Sequence, residues 1–320
     1  MTATDGFATS LLSSAPTIDA PHATETAVES QHRAPWRLLV ATALPAGLVG
    51  AIYATTFRDL AAAWDIDPNY SHGYAVPIVS LLFAWRIGQS FGWPTRSEVQ
   101  RRPWLLGLSA LIVGLALHVA AQFVSNLFFD VVSLVCVLRG TILCLGGQSA
   151  ARAFGFPVWF LIFMAPLPMA WYQPVAVLLQ QIVSGISTWF LNVTTVPAFQ
   201  EGFRIHLPGY TMEVGEACSG LRQLTAVVAL AAAIGHLSGR RAWFGWTLAI
   251  LSLPIAVLAN GLRVMVSGHV MLLFGPEWAE GIYHTLEGMV LVAVAGALVA
   301  ATAWLLNRIA NRLNKSRAIN

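Results

Sequence analysis

Apolar runs of about 20 residues, separated by short loops carrying arginine, constrain this chain more than any other feature. A helix of that length crosses the hydrocarbon core of a bilayer, where each backbone polar group must be satisfied within the segment. Of the 320 residues, 57% are hydrophobic and only 10% are charged. A soluble domain carries about 25% charged residues. The sequence therefore reads as an all-α polytopic membrane protein with lipid as an obligatory partner. Its formal charge of +3 does not suggest a nucleic-acid partner. The basic residues sit in short loops and at the C-terminal tail, as cytoplasmic anchors do.

Residues 1–35 are rich in Ala, Ser, Thr and Pro without apolar periodicity, and read as a disordered polar tail. No signal peptide is evident, because the first apolar run is long enough to stay in the membrane. About eight spans are expected, at 36–57, 74–92, 104–122, 127–147, 153–170, 218–237, 243–264 and 285–306. They make a membrane domain over 36–308, followed by a basic cytoplasmic tail over 309–320.

One more apolar stretch, 174–195, carries Gln181, Ser184, Thr188, Asn192 and Thr195 at three- or four-residue spacing. Leu178, Leu179, Ile182, Val183, Ile186 and Phe190 line its other side. It reads as an amphipathic helix lying at the interface or packed against the bundle. Charge favours that reading. With eight spans, the clusters at Arg33 and Arg37, Arg96 to Arg102, Arg152, Arg240 and Arg241, and Arg308 to Arg317 are all cytoplasmic. A further crossing at 174–195 would put the last two outside.

The eight-span topology gathers three chemically distinct side chains on the outer face. Cys218, in EVGEACSGLRQL, begins the sixth span; Arg263, in ANGLRVMVSGH, ends the seventh; His284, in IYHTLEGM, precedes the eighth. Cysteine attacks as a thiolate, which nearby cations and a helix N-terminus favour. Arg222, one turn on, and the helix start supply both, while Ser219 and Gly220 allow backbone N–H groups to approach an oxyanion. Glu216 completes a polar setting unlike that of an ordinary buried cysteine.

Arg263 is either an oxyanion clamp oriented by Asn260, three residues back, or a snorkelling anchor. His284 is a candidate general acid or base, with Glu287 placed to orient its ring; the bland alternative is an interfacial histidine. His269 competes for that role, being expected in the same outer loop. Ser71, His72 and Gly73 of SHGYAVP cap the second span or brace the site.

Phe203, Ile205 and Leu207 alternate with Arg204 and His206, Pro208-Gly209 signals a turn, and Tyr210, Met212 and Val214 alternate after it. This predicts a small extracytoplasmic β-hairpin, either an edge for an extended peptide or a simple cover of the bundle. Cys136 and Cys144, about two turns apart, are too distant for a disulfide and read as core residues. Asp130 and Arg139 read as a polar pair or as partners of other helices. With no CxxC or HExxH, neither metal nor cofactor is expected.

These motifs resemble the exosortase/archaeosortase family of membrane transpeptidases: DPNYSHGYAVP at 67–77, EACSGLRQL at 216–224, NGLRV at 260–264 and HTLEG at 284–288. The resemblance spans nearly the whole membrane region. It implies catalytic Cys218, Arg263 and His284 on the extracytoplasmic side. It further implies exported substrates bearing a C-terminal sorting signal: a short motif such as Pro-Glu-Pro, a transmembrane helix and a basic cluster. Location in the bacterial inner membrane and partners in exopolysaccharide assembly are implied as well. The chain ends after its basic tail, so the C-terminal soluble domain of some members is not expected.

The reading is a cysteine peptidase or transpeptidase that cleaves such signals and passes the acyl group to an acceptor amine or to water. Glu216, Ser219, Arg222, Asn260 and His72 support the three catalytic residues. The alternatives are an intramembrane protease that only hydrolyses, and a non-enzymatic transporter or scaffold of polysaccharide export. Neither mid-depth polar residues in several helices nor an inverted repeat favours a transporter.

Overall fold

The computed structural model describes residues 35–91, 103–215, 220–239, 242–275 and 282–317, with backbone alone at 35–42, 68, 103, 242, 282–289 and 313–317. The polar tail and the loop around Arg96 lie outside them. Residues up to Ala51 form one compact unit and those from Ile52 a second. The first contains α1 (Pro35–Ile52), with Pro45 inside it.

The second unit begins with α2 (Ala54–Ile66), whose buried Thr56, Leu60 and Trp64 recur at four-residue spacing along one face. A 3₁₀ helix (Pro68–Tyr74) follows and runs into α3 (Ala75–Ser90). Next come α4 (Pro103–Val124), α5 (Leu127–Ala153), the short α6 (Gly155–Phe160) and a 3₁₀ turn (Leu161–Met164). α4 and α5 approach closely: a Cβ on Gly140 would come within 2.8 Å of the Gly107 carbonyl oxygen. Small residues permit such contact between membrane helices. Asn126 starts α5 by accepting from the N–H groups of Phe128 and Phe129.

Asp130 and Arg139 do not pair. Asp130, 1% exposed, accepts from Thr56 Oγ1 at 2.8 Å and Gln122 Nε2 at 2.6 Å, with His118 Nδ1 2.6 Å from its other oxygen. Arg139 instead reaches the Ala151 carbonyl at 3.5 Å. Cys136 and Cys144 are free thiols, as their spacing predicts.

α7 (Met169–Val193) contains the segment expected to be amphipathic, but the expected division into two faces does not hold: of the polar set Ser184 is buried while Gln181 and Asn192 are exposed, and of the apolar set Leu179 and Val183 are buried while Leu178 and Ile182 are exposed. Gln180, Ser184 and Ser187 face the protein, while Leu178 and Trp189 are 56% and 61% exposed. Ser187 Oγ lies within hydrogen-bonding reach of the Val183 and Gly261 carbonyls. Hydroxyls that bond the backbone are cheap to bury, and the exposed apolar face suits lipid. At 25 residues the helix is long and apolar enough to cross a membrane.

The expected hairpin is present and gains a strand. β1 (Phe199–Glu201), β2 (Arg204–Leu207) and β3 (Tyr210–Glu213) form an antiparallel sheet in that order. Its inner face buries Ile205 and Leu207 with Val183, Leu191, Val214 and Val264. The first strand escaped the alternation argument because it holds only three residues, Phe199, Gln200 and Glu201.

Three long helices complete the unit: α8 (Leu221–Leu237), α9 (Ala242–Phe274) and α10 (Ile282–Arg317). Gly235 faces Gly245 and Gly220 faces Asn260, so α8 and α9 are antiparallel. α9 does not stop near residue 264, where the span was expected to end. Nothing breaks it before Gly275, at φ 95°. α10 likewise runs through the basic cluster expected as a tail.

Five described helices qualify as membrane spans by length and composition: Trp104–Val124, Leu127–Ala153, Met169–Val193, Trp243–Phe274 and Val290–Arg312. Four match expected spans; the fifth is α7, expected not to cross. The expected spans at 36–57, 74–92, 153–170 and 218–237 fall on shorter helices, so the count of about eight is not confirmed among the described residues. α3 has 16 residues and α8 has 17. At 1.5 Å per residue each covers about 25 Å, less than the ~30 Å core. The 153–170 segment is divided into α6 and a 3₁₀ turn.

Candidate active site

Cys218, Glu216 and Ser219 lie outside the described residues; the chain on either side of them is described. On the N-terminal side, Val214 continues the sheet by donating its N–H to the Phe203 carbonyl at 2.9 Å. It is 1% exposed and shares a buried cluster with Val264 of α9. On the C-terminal side, Gly220 is the residue from which α8 starts, at φ 82°. A Cβ there would lie 2.6 Å from Asn260 Nδ2. Both the left-handed backbone and the contact demand glycine. The two flanks of Cys218 therefore rest on one turn of α9, between Asn260 and Val264.

That turn carries Arg263. Asn260 is fully buried and Arg263 is 5% exposed. Arg222, in the first turn of α8, lies close enough to Arg263 for the two charges to repel, with Asp67 the attracting charge nearby. Its buried Nε has no hydrogen-bond partner among the described residues. Two guanidinium groups held together at a helix N-terminus create a positive environment, one that favours anions.

The 67–77 motif reaches the same place. Asp67 caps the 3₁₀ helix by accepting the Asn69 N–H at 2.8 Å, and Asn69 Nδ2 donates to Tyr172 Oη at 3.1 Å. Asn69, Tyr172, Leu221, Arg222 and Thr225 line a crevice between this helix, α7 and α8. His72 bonds the Phe163 carbonyl through Nε2 at 3.2 Å. Burial pushes its imidazole below the usual histidine range, and the Arg222 charge pushes the same way. His72 thus ties the 3₁₀ helix to the Leu161–Met164 turn. It does not cap the second span: α3 follows Tyr74 with no side-chain capping bond.

The two candidate histidines are placed differently. His269 lies inside α9, not in a loop, and both ring nitrogens are engaged: Nδ1 with the Met265 carbonyl and Nε2 with Thr194 Oγ1, each at 3.0 Å. It ties α9 to the end of α7. His284 lies in the first turn of α10, where the backbone alone is described, as it is for Glu287. A Cβ on Gly296 of α10 would meet Leu230 of α8 at 3.1 Å. His284 is twelve residues before Gly296, and Leu221 is nine before Leu230. At 1.5 Å per residue, His284 lies about 18 Å along α10 from that contact and Leu221 about 14 Å along α8.

Asp67, Asn69 and Tyr172 belong to this site but were not singled out from sequence. Asp-Pro is a recognisable start signal for the first two. Nothing local marks Tyr172.

A mostly helical bundle with five described helices long and apolar enough to cross a membrane defines the class of protein. Residues 64–301 of the 320 match the model of the transmembrane exosortases. The chain belongs to the transmembrane exosortase family. No curated protein and no solved structure matches it.

Proposed function

We propose that this exosortase is a cysteine peptidase and transpeptidase of C-terminal sorting signals, with Cys218 as nucleophile. The observation that carries the reading is the seating of both flanks of Cys218 on the turn of α9 that bears Arg263. A thiolate at the start of α8 gains from the helix dipole and from Arg222. It adds to the carbonyl carbon of the scissile peptide bond, forming a C–S bond and an oxyanion. The Arg263 guanidinium and backbone N–H groups hold that oxyanion. As it collapses, the C–N bond breaks and His284 gives a proton to the leaving amine. An acceptor amine or water then attacks the thioester and releases Cys218.

Substrates in this reading are exported proteins ending in a short motif, an apolar helix and a basic cluster. The enzyme sits in the bacterial inner membrane with its site on the extracytoplasmic face. Exopolysaccharide assembly is the process it serves.

The test is cleavage of a co-expressed exported reporter carrying such a tail. Cys218→Ala and Cys218→Ser should abolish cleavage while the protein still accumulates in the membrane. His284→Ala should lose far more activity than His269→Ala. Normal processing by Cys218→Ser would remove thiolate chemistry. Normal function of Cys218→Ala would leave a non-enzymatic component of export. Release of hydrolysed product alone, with acceptor present, would reduce the enzyme to a protease.

A further inference from the structure

β3 is paired on one side only among the described residues. Its register shows which backbone groups face the open side. Val214 N–H points to β2, since it bonds the Phe203 carbonyl at 2.9 Å. In an antiparallel pair the residues facing the partner alternate with those facing away. Leu207 pairs with Tyr210 across the two-residue turn, and Ile205 with Met212. Thr211 and Glu213 therefore turn their backbone groups away from β2. The Glu213 carbonyl is taken by the Gly215 N–H at 3.0 Å. What remains on the edge is the Thr211 N–H, the Thr211 carbonyl and the Glu213 N–H.

The opposite edge of the sheet is different. β1 lies against α7, with Gln200 Nε2 donating to the Gln181 carbonyl at 3.2 Å. On β3, Thr211 and Glu213 are exposed, and neither lysine nor proline guards the strand, devices by which edges are commonly blocked. The outer-face side chains are already engaged within the sheet. Arg204 Nε meets Glu213 at 3.4 Å, and His206 lies 3.0 Å from both Thr211 and Glu201. They steady the strand and leave its backbone as the recognition element.

We propose that the open edge of β3 binds the extended segment of the exported protein that contains the scissile bond, as a fourth antiparallel or parallel strand. The proposal rests on the peptidase reading above and names how its substrate is held. The occupant follows from where the strand leads. β3 ends at Glu213 and is followed by Val214, which lies in the buried cluster with Val264, the residue after Arg263, and Cys218 is five residues beyond Glu213. A peptide paired with β3 at the usual ~4.8 Å spacing is carried toward that turn of α9. Main-chain bonds fix its extended form and depth, while alternate side chains face the bundle and are read there.

The experiment uses full-length protein and an exported reporter ending in Pro-Glu-Pro, an apolar span of about 20 residues and a basic cluster. In a Cys218→Ala background, which should keep the reporter uncut, Thr211→Cys is tested for disulfide formation against single cysteines placed along the extended segment. Cross-linking should rise and fall with a two-residue period. In the otherwise native enzyme, Thr211→Pro removes one edge donor and none of the backbone bonds to β2; it also loses the His206–Thr211 side-chain bond, which Thr211→Val loses alone and so controls for. Thr211→Pro should raise KM about fivefold, the worth of one hydrogen bond, with kcat within about twofold. Cross-links without that period, or none at any position, would overturn the edge proposal, as would an unchanged KM in a normally accumulating Thr211→Pro. If the reporter is not cut, or is cut without Cys218, the peptidase reading itself falls and takes this proposal with it. Dependence on Cys218 without cross-linking removes the edge alone.

Discussion

Asp130 and Arg263 are both charged residues buried to within a few per cent, and the protein treats them in opposite ways. Asp130 is surrounded by groups that suit it: the Thr56 hydroxyl, the Gln122 amide and the His118 ring. Nearby, Tyr53 Oη lies 2.9 Å from Ser133 Oγ, extending the network between α2 and α5. Arg263 lies near Arg222, a charge of the same sign, with Asp67 the attracting charge beside Arg222. A saturated buried carboxylate is a brace between helices. Like charges kept together raise the energy of the folded chain, and such arrangements gather where chemistry is done.

The largest expected effect breaks the brace. Asp130→Ala strands the groups that pointed at the carboxylate and should cost about 3–5 kcal/mol, the scale for removing one partner of a buried pair. Thermal unfolding of the detergent-solubilised protein should show it, with activity per folded molecule retained. Loss of activity in a protein of unchanged stability would erase the contrast with Arg263.

Arg263→Lys should behave in the reverse manner. A snorkelling anchor needs only a charge on a long stem, whereas an oxyanion clamp needs the planar fork. Reporter cleavage should fall roughly 10²–10³-fold, with little change in membrane level or in trapping of Cys218 by a thiol reagent. Full activity would leave Arg263 an anchor.

Gly220→Ala sharpens the comparison by disturbing the seat without touching a charge. The left-handed backbone alone costs an alanine about 1–2 kcal/mol, and the contact with Asn260 adds to it. Activity should fall more than stability does; equal falls would make the contact purely structural.

The smallest effect is a pH dependence. With His72 held below the usual range, the unfolded chain binds more protons than the folded one near and below about pH 6.5. Stability should therefore be complete above that range and decline as pH falls through it. Thermal midpoints between pH 8 and 5 measure this, and His72→Gln should flatten the slope. A slope of the opposite sign would contradict the burial of a neutral ring.

Legibility followed how local each signal was. The β2–β3 turn was readable because Pro208-Gly209 separates two alternating stretches. Arg263 was expected at the end of its helix, but it lies eleven residues before Phe274, the last residue of α9. The end of α9 was misjudged because polar Ser267 and His269 suggested a loop, although neither breaks a helix. Both are accommodated in it, His269 by bonds to Met265 and Thr194. α7 shows a subtler case: the expected stripe is not one face of the packed helix, since Ser184 is buried while Gln181 and Asn192 are exposed. Ser184 and Ser187 face the protein because a hydroxyl can be satisfied by a neighbouring carbonyl there and by nothing in lipid.

By itself, the sequence determined the membrane class, the family resemblance and the short list of polar residues worth placing. Those follow from composition, spacing and residue chemistry, all local to the chain. The tertiary structure alone decided that Gly220 must be glycine, that Asp67, Asn69 and Tyr172 join the site, and that His269 is a tie between helices. Each depends on a contact between segments far apart in the chain, and close packing, with like charges forced together, exists only once those segments have met.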